Sequence, residues 1–325
     1  MVGRLDRREH DDFVKAVAEL GIDIEVVRSR PTGRTGGTKW HRLFSYPAHA
    51  SLAVRALWAR ADVLVAWQPI VGAVLAHVPF RPPIVAIEPV VVDNDRRMVG
   101  RFSMRAFQQI ECLVMCSDGD ADRLIDKGFS PERVVAVVRG IAPRCARNGP
   151  GDAYFLAGGR EHRDWLCLRE AAVDAGLPVR LGAPNSPSEG GALELLPALD
   201  QAEYVEQLRH ARALVVPLKD NSRGAGLLMV LEAYSYGVPV IVSRNVATVD
   251  YVVDGAGVLV APGDADALRR SMWEMSHPAA ATAASAAATD LVRDKFSFAR
   301  FVQSVHDLAL RLTSEVDAPP RSNDR

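Results

Sequence analysis

The feature that most constrains the fold of this chain is the alternation of short apolar segments with helical segments along most of its length. Runs rich in Val, Ile and Leu, such as 62–67, 84–87 and 112–116, and a shorter β-rich run over 22–27, are separated by stretches with the spacing of amphipathic helices. Short buried strands that alternate with helices are typical of a parallel sheet covered by helices on both faces. The pattern therefore predicts an α/β fold.

Chain length and one interruption of this pattern predict two domains. The chain has 325 residues, and this length exceeds that of one compact domain in most proteins. Since 48% of the residues are hydrophobic, there is enough apolar material for more than one core. Residues 141–152 are rich in Pro and Gly and lack periodicity, which is typical of a linker. We expect two Rossmann-like domains facing a cleft, over 1–145 and 146–298, followed over 299–325 by a C-terminal helix that ends near Leu312 and a frayed polar tail that begins at Ser314. Because residues 1–10 are charged, whether the first domain has its usual first strand stays open.

Charge and cysteine content argue against several classes of protein. A formal net charge of -1 at pH 7 argues against a dedicated nucleic-acid-binding protein. The charged start does not resemble a signal peptide, and Pro and Gly interrupt the longest uncharged run, 63–80, so a cytoplasmic protein is expected. The four cysteines lack CxxC spacing, which predicts buried reduced thiols. Since no His/Asp cluster has ligand spacing, no metal site is expected.

The segment 213–250 contains the most informative motif. A buried strand ends at Pro217, a polar loop follows, and Gly224-Ala225-Gly226 opens a helix. Helix N-termini bind anions through free N–H groups, and glycines allow close approach to the backbone, so the motif predicts a diphosphate site. Glu232 lies six residues into this helix and can accept hydrogen bonds from two ribose hydroxyls. Ordinary turn chemistry for the glycines and a solvated helix face for Glu232 stay open as alternatives.

At this point the sequence resembles the C-terminal half of glycosyltransferase family 4, whose members have the GT-B fold. The resemblance extends over residues 110–312 and is architectural only before them. It is carried by short motifs in the family's order: Ala157-Gly158-Gly159-Arg160, Val216-Pro217, Gly224 to Gly226, Leu231-Glu232-Ala233, Gly237 to Val240, Asp254-Gly255, Gly257 to Asp264 and Phe296-Ser297-Phe298.

The resemblance implies a metal-independent, hexosyltransferase-like enzyme that moves a sugar from a nucleotide-sugar donor to an acceptor hydroxyl with retention. Such enzymes bind the donor mainly in the C-terminal domain and the acceptor mainly in the N-terminal one. Glu232 matches the glutamate that binds the ribose, and Arg160 matches the arginine that neutralises the departing diphosphate. The other implied donor-binding residues are Gly158, Gly159, Ser222, Gly224, Ala225, Gly226 and Leu227. No cofactor besides the nucleotide-sugar co-substrate is implied.

The sequence departs from the family pattern at three positions. The first of the family's paired glutamates falls at Gly224, and Trp165 replaces the lysine that usually follows the arginine. Arg163 is the nearest substitute for that lysine and a second candidate for stabilising the diphosphate. Glu88 replaces an N-domain histidine at the end of the strand 84–87, where open α/β sheets bind ligands. It is a candidate general base, with a structural cap as the alternative.

Partners and function leave alternatives open. The acid-free segment from Arg28 to Arg42 holds several basic residues and indicates either an acceptor or anionic-membrane contact or a solvated loop. The leading hypothesis is a glycosyltransferase with a small-molecule, glycan or lipid-linked acceptor. A catalytically silent GT-B-fold binding protein is the second, because Gly224 and Glu88 depart from the family. A sugar-nucleotide epimerase on the same fold is the third.

Overall fold

The chain divides into two compact α/β units. The computed structural model describes residues 2–3, 7–23, 25, 27–28, 52–58, 61–67, 69–88, 104–147, 149–159, 162–182, 193–197, 199–220 and 225–317. One unit comprises Met1–Cys116, Ala121–Val138 and Phe298–Arg325, and the other comprises Ser117–Asp120 and Arg139–Ser297. The C-terminal segment therefore belongs to the unit that begins the chain. The predicted α/β fold class is confirmed.

The described part of the first unit is built around a parallel sheet. Its strands are β1 (Val2–Gly3), β2 (Val27–Arg28), β3 (Leu64–Ala66), β4 (Ile84–Ile87), β5 (Cys112–Met115) and β6 (Val134–Ala136). Their order is β2-β1-β3-β4-β5-β6. Its helices are α1 (Arg7–Leu20), α2 (52–58), α3 (Pro69–Leu75), α4 (104–107), α5 (Asp118–Asp126), whose first turn is grouped with the second unit, and the C-terminal α12 (Phe298–Asp317).

The central strands of this sheet are buried along their whole length. All residues of β3, β4 and β5 are buried, because helices cover both faces of the sheet. The predicted strand at 84–87 is confirmed at both ends. The strand predicted over 22–27 is wrong in its extent: of its described residues, only Val27 is in a strand. Among the described residues, the ladder between β1 and β2 pairs Val2 with Val27 and Gly3 with Arg28, so the pairing starts at Val27.

The second unit contains another parallel sheet. Its strands are β7 (Phe155–Gly158), β8 (Val179–Gly182), β9 (Leu193–Leu195), β10 (Leu214–Val216), β11 (Val240–Ser243) and β12 (Gly257–Val260). Their order is β12-β11-β10-β7-β8-β9. Its helices are α6 (Trp165–Ala175), α7 (Gln201–His210), α8 (Leu227–Ser235), α9 (Thr248–Tyr251), α10 (Ala265–Ser276) and α11 (Pro278–Asp294).

The order of the second sheet defines where a ligand is expected. The chain starts in the middle at β7, proceeds outward to β9, and returns to the other side of β7 at β10. β7 and β10 are thus neighbours whose connections leave in opposite directions. In open parallel sheets this switch point leaves a crevice at the carboxyl ends of the strands, where ligands bind.

Helix N-caps in the second unit follow the sequence closely. Asp164 caps α6 by accepting from the Cys167 N–H, and Asp264 caps α10 in the same way. Asp200 and Glu203 form a reciprocal capping box at the start of α7. These caps fix the phase of each helix, and with it the residues that face the sheet.

Two elements of the second unit are absent from the sequence prediction. β9 is an edge strand in which Glu194 and Leu195 are exposed, so it lacks the continuous apolar pattern of the other strands. α9 is a single turn that begins after Asn245, whose Oδ1 accepts from the N–H groups of Ala247 and Thr248. Both elements depend on contacts that a hydrophobic pattern does not reveal.

Two further predictions are corrected. The polar tail is predicted to begin at Ser314, but α12 continues to Asp317, because neither Pro nor Gly occurs between its predicted end and Pro319. All cysteines are predicted to be buried, but Cys145 is exposed in the irregular segment that leads into the second unit. Within the described ranges, none of the helices combines the length and the apolar composition needed to cross a membrane.

Candidate functional site

The carboxyl ends of β7 and β10 lie side by side at the switch point of the second sheet. β7 ends at Gly158, and the chain turns at Gly159, whose φ of 98° lies in the left-handed region. Residues 162–164 then run beside residues 217–219, which follow β10, and two backbone hydrogen bonds of 2.9 and 3.0 Å join the two segments. The turn after β7 is therefore fixed to the loop after β10.

Arg163 connects the end of β7 to α8. Its side chain is buried, its Nε donates to the Gly158 carbonyl at 2.8 Å, and its Nη2 lies 3.0 Å from Met229 Sδ. A Cβ at Gly159 would lie 2.7 Å from Arg163 Cζ, and the φ of 98° disfavours residues other than glycine, so glycine is favoured there. Arg163, the second candidate for stabilising the diphosphate, thus lies at the switch point, where its guanidinium contacts the Gly158 carbonyl and Met229.

The start of α8 has the features predicted for an anion site. Gly226 precedes the helix with a φ of 90°, and a Cβ there would lie 3.0 Å from Val216 Cγ1. Because glycine has no side chain, it cannot cap the first turn of α8. The Ala225 carbonyl accepts from Asn245 Nδ2 at 2.9 Å, and Leu227 is buried in the core. The helix start is therefore held in place without a side-chain cap from Gly226.

Glu232 lies where α8 meets α7. Its side chain is half-buried, and its Oε1 accepts from Gln201 Nε2 at 2.8 Å. Because this hydrogen bond is itself exposed, the alternative of a solvated helix face for Glu232 stays open.

Tyr204 covers the ends of β7 and β8 beside this carboxylate. Cβ atoms at Gly158 and Gly182 would lie 3.2 and 3.5 Å from its ring. Burial, followed by the charge of Glu232, raises the pKa of the Tyr204 hydroxyl well above its usual range. The phenol therefore stays protonated at neutral pH.

Sequence reasoning missed Gln201, Tyr204 and Met229. The capping box at Asp200 sets the phase of α7, so the positions of Gln201 and Tyr204 on one helix face could have been read from the sequence. That this face meets Glu232 depends on how α7 and α8 pack.

Several of the residues predicted from the sequence lie outside the part of the chain that the structure describes. They are Arg160, Ser222, Gly224 and residues 29–42 of the basic segment, and their proposed roles remain predictions. Arg28 is the second residue of β2.

Glu88 lies in the first unit, at the carboxyl end of β4. Its N–H donates to the Val114 carbonyl at 2.8 Å, and its φ of 48° is uncommon for a residue other than glycine.

The chain has two α/β units, each with its own parallel sheet, and the similarity to solved structures identifies this fold as GT-B. The chain is similar to sucrose-phosphate synthase from Thermosynechococcus elongatus, with a TM-score of 0.68, 16% identity, and coverage of 97% of this chain and 96% of that chain. It is similar to Anabaena HepE in complex with UDP and glucose, with a TM-score of 0.64, 15% identity, and coverage of 91% and 88%. It is also similar to S. aureus TarM, with a TM-score of 0.62, 12% identity, and coverage of 81% of this chain but only 58% of the TarM chain.

Residues 187–277 match the model of the family described as glycosyl transferases group 1. The matched segment contains α7, the start of α8 and Glu232. The predicted resemblance is confirmed over this segment, which is similar to the group 1 glycosyl transferases. The narrower assignment to family 4 stays a prediction. No curated protein sequence matches the chain.

Proposed function

We propose that this chain is a nucleotide-sugar-dependent glycosyltransferase that binds the nucleotide part of its donor at the carboxyl edge of the second sheet. One arrangement carries the proposal: the half-buried Glu232 carboxylate lies on the helix whose glycine-led start is at the switch point. The HepE structure contains UDP and glucose. A uridine diphosphate sugar is therefore the first donor to test.

The residues of the edge have complementary roles in this proposal. Glu232 accepts hydrogen bonds from the ribose hydroxyls, and the first N–H groups of α8, together with Gly226, receive the diphosphate. Arg160 neutralises the leaving group, and Arg163 adds a positive charge at the switch point while its Nε holds the Gly158 carbonyl. The nucleotide sugar is the co-substrate, and no metal takes part.

The transfer step follows from these charges. The acceptor oxygen forms a bond to the anomeric carbon on the face from which the diphosphate oxygen leaves, while the bond from that carbon to the diphosphate oxygen breaks and the acceptor proton passes to a base. The electron pair of the broken bond leaves with the diphosphate, whose growing negative charge is stabilised by arginine and the helix start. We propose retention of configuration and an acceptor that is a small molecule, a glycan or a lipid-linked sugar.

Glu88 is the proposed general base for the acceptor hydroxyl. A backbone in the left-handed region costs about 1–3 kcal/mol for a residue other than glycine, and such strain concentrates at functional sites. The strained Glu88 backbone at the end of a central strand supports this role. Glu88→Gln is expected to lower kcat and leave the dissociation constant for the nucleotide unchanged. An unchanged kcat would remove Glu88 from the mechanism.

A thermal-shift panel with UDP, GDP, TDP, ADP, CMP and NAD tests the donor site. A ligand that binds only the folded state raises its stability, by about 2.7 kcal/mol at 100 times Kd. Glu232→Gln is expected to weaken binding of the active nucleotide by about tenfold, because hydrogen bonds to a charged group contribute about 1.5–3 kcal/mol. Glu206→Gln is the matched control, since Glu206 is an exposed carboxylate on α7 that contacts His210.

Several results would contradict the proposal or one of its parts. If none of these nucleotides shifts the unfolding temperature, or if Glu232→Gln and Glu206→Gln bind equally well, the edge site is not a donor site. If a nucleoside diphosphate binds but the chain neither hydrolyses any sugar nucleotide nor transfers its sugar to a glycan acceptor, the chain is a catalytically silent binding protein. Arg160→Ala is expected to abolish turnover, and unchanged donor binding and turnover would exclude its role.

A further inference from the structure

The Tyr204 hydroxyl is a buried polar group with no role in the proposed nucleotide site described above. Its oxygen is shielded from solvent and has no hydrogen-bond partner among the described residues. A buried hydroxyl without a partner destabilises the folded state. Native proteins pair nearly all such groups, and the exceptions call for an explanation.

The surroundings of this hydroxyl point to Glu232. Gln201 and Tyr204 are three residues apart on α7, and Met229 and Glu232 are three residues apart on α8, so each pair shares a helix face. The hydrogen bond of 2.8 Å from Gln201 to Glu232 fixes these two faces against each other. The same face of α7 that already holds the carboxylate therefore also presents Tyr204.

Chemistry allows both donors to act on one carboxylate. Burial raises the pKa of Tyr204, and the nearby negative charge of Glu232 raises it further, so the phenol donates rather than ionises. A carboxylate offers about four acceptor positions on its two oxygens. It can therefore accept from Gln201, from Tyr204 and from ligand hydroxyls at the same time.

Provided that the edge binds a nucleotide, as proposed above, we propose that Tyr204 is a positioning residue for Glu232. When the nucleotide is bound, the Tyr204 hydroxyl donates to the Glu232 carboxylate and fixes the orientation in which it receives the ribose hydroxyls. The hydroxyl, which has no partner among the described residues, becomes a charge-assisted donor in the complex. Part of the binding free energy thus comes from a protein group that does not touch the ligand.

Isothermal titration with the nucleoside diphosphate that gives the largest thermal shift among UDP, GDP, TDP and ADP tests this role. Tyr204→Phe is expected to weaken binding by about three- to tenfold, the loss of one charge-assisted hydrogen bond. The unfolding temperature of the ligand-free variant should stay unchanged or rise, because the hydroxyl has no partner to lose among the described residues. In the Glu232→Gln background, Tyr204→Phe should change affinity by less than about twofold, since coupled residues are not additive.

Tyr154→Phe is the matched control. Its hydroxyl donates to the Gln207 carbonyl at 2.7 Å, so this variant should unfold at a lower temperature and bind the nucleotide with unchanged affinity. A spectroscopic measurement distinguishes the two tyrosines independently of affinity. The near-ultraviolet difference spectrum produced by the nucleotide should contain a tyrosine signal that Tyr204→Phe lacks and Tyr154→Phe keeps.

The outcomes separate this inference from the proposed function. If the wild type binds a nucleoside diphosphate and Tyr204→Phe binds it equally well, Tyr204 has no positioning role and the donor site stands. The positioning role is equally excluded if the loss is the same in the wild-type and Glu232→Gln backgrounds, or if Tyr204→Phe only lowers the unfolding temperature. If the wild type binds none of the four, the proposed function fails and the role of Tyr204 with it.

Discussion

Gly159 and Gly226 have specific structural reasons to be glycine. Both have φ values in the left-handed region, 98° and 90°, and at both positions a neighbouring side chain lies within 3.0 Å of where a Cβ would be. At Gly159 the neighbour is the Arg163 guanidinium, and at Gly226 it is a methyl group of Val216. Backbone conformation and close packing around the switch point therefore both favour glycine at these two positions.

The cysteines differ in reactivity because they differ in exposure. Burial raises the pKa of Cys112 and of Cys167 to about 11, and Cys116 is buried as well, whereas Cys145 is exposed. The thiolate is the reactive form, so at pH 8 a thiol with a pKa near 11 is only about 0.1% reactive. We expect a thiol-reactive dye to label one cysteine rapidly in the folded chain, and Cys145→Ser to remove that rapid phase.

Denaturant provides the control for this labelling, since all four cysteines should then react. Rapid labelling of a second cysteine in the folded chain would contradict the burial of the other three. A rapid labelling phase that persists in Cys145→Ser would show that the rapidly reacting cysteine is not Cys145.

At the scale of elements, strands with a continuous apolar run could be predicted, and an edge strand with polar residues could not. β4 and β12 both have the bounds that their apolar runs predict, although β4 is buried along its whole length and β12, at the edge of the second sheet, is only partly buried. β9 has exposed residues at the sheet edge, and α9 is held by side-chain hydrogen bonds of Asn245. Hydrophobic patterning contains neither kind of information.

The same distinction applies to the candidate site. Gly226 and Glu232 could be predicted because a local motif, a strand followed by a glycine-led helix, places them on one element. Gln201 and Tyr204 contribute from a different helix, and their contact with this region follows from the packing of α7 beside α8. A single sequence contains no direct information about that packing.

The C-terminal helix α12 is predicted to stabilise the unit that begins the chain. Phe301 is buried, and its ring centroid lies 5.8 Å from that of Trp67, which also contacts Phe13 of α1. Phe301→Ala is expected to destabilise the first unit by about 3–5 kcal/mol, the usual effect of removing a buried aromatic ring. Denaturant unfolding followed by Trp67 fluorescence measures this loss, in a background in which the other tryptophans are replaced by phenylalanine.

Leu310→Ala is the matched control, because Leu310 is an exposed residue of the same helix. Its effect should stay within about 0.5 kcal/mol, as is usual for surface positions. Equal effects of the two substitutions would mean that α12 does not pack through its aromatic face.

For the whole molecule, the chain path separates sequence position from structural membership. The first unit takes its last helix from beyond the second unit, so the second unit is an uninterrupted segment apart from one short piece. Each unit has its own buried core, which includes Leu75 in the first and Leu168 in the second. Separate cores allow the two units to unfold as separate cooperative steps.

Ligand binding should therefore stabilise the two units unequally. Because Glu232, Gly226 and Arg163 all belong to the second unit, a nucleoside diphosphate is expected to raise the temperature of only one calorimetric transition. Leu75→Ala and Leu168→Ala assign the transitions, since each should lower its own by removing about 2–5 kcal/mol of core packing. At 100 times Kd the ligand adds about 2.7 kcal/mol to the unit that binds it. A shift confined to the transition that Leu75→Ala lowers would place the nucleotide in the first unit and would reverse the assignment of donor and acceptor sides.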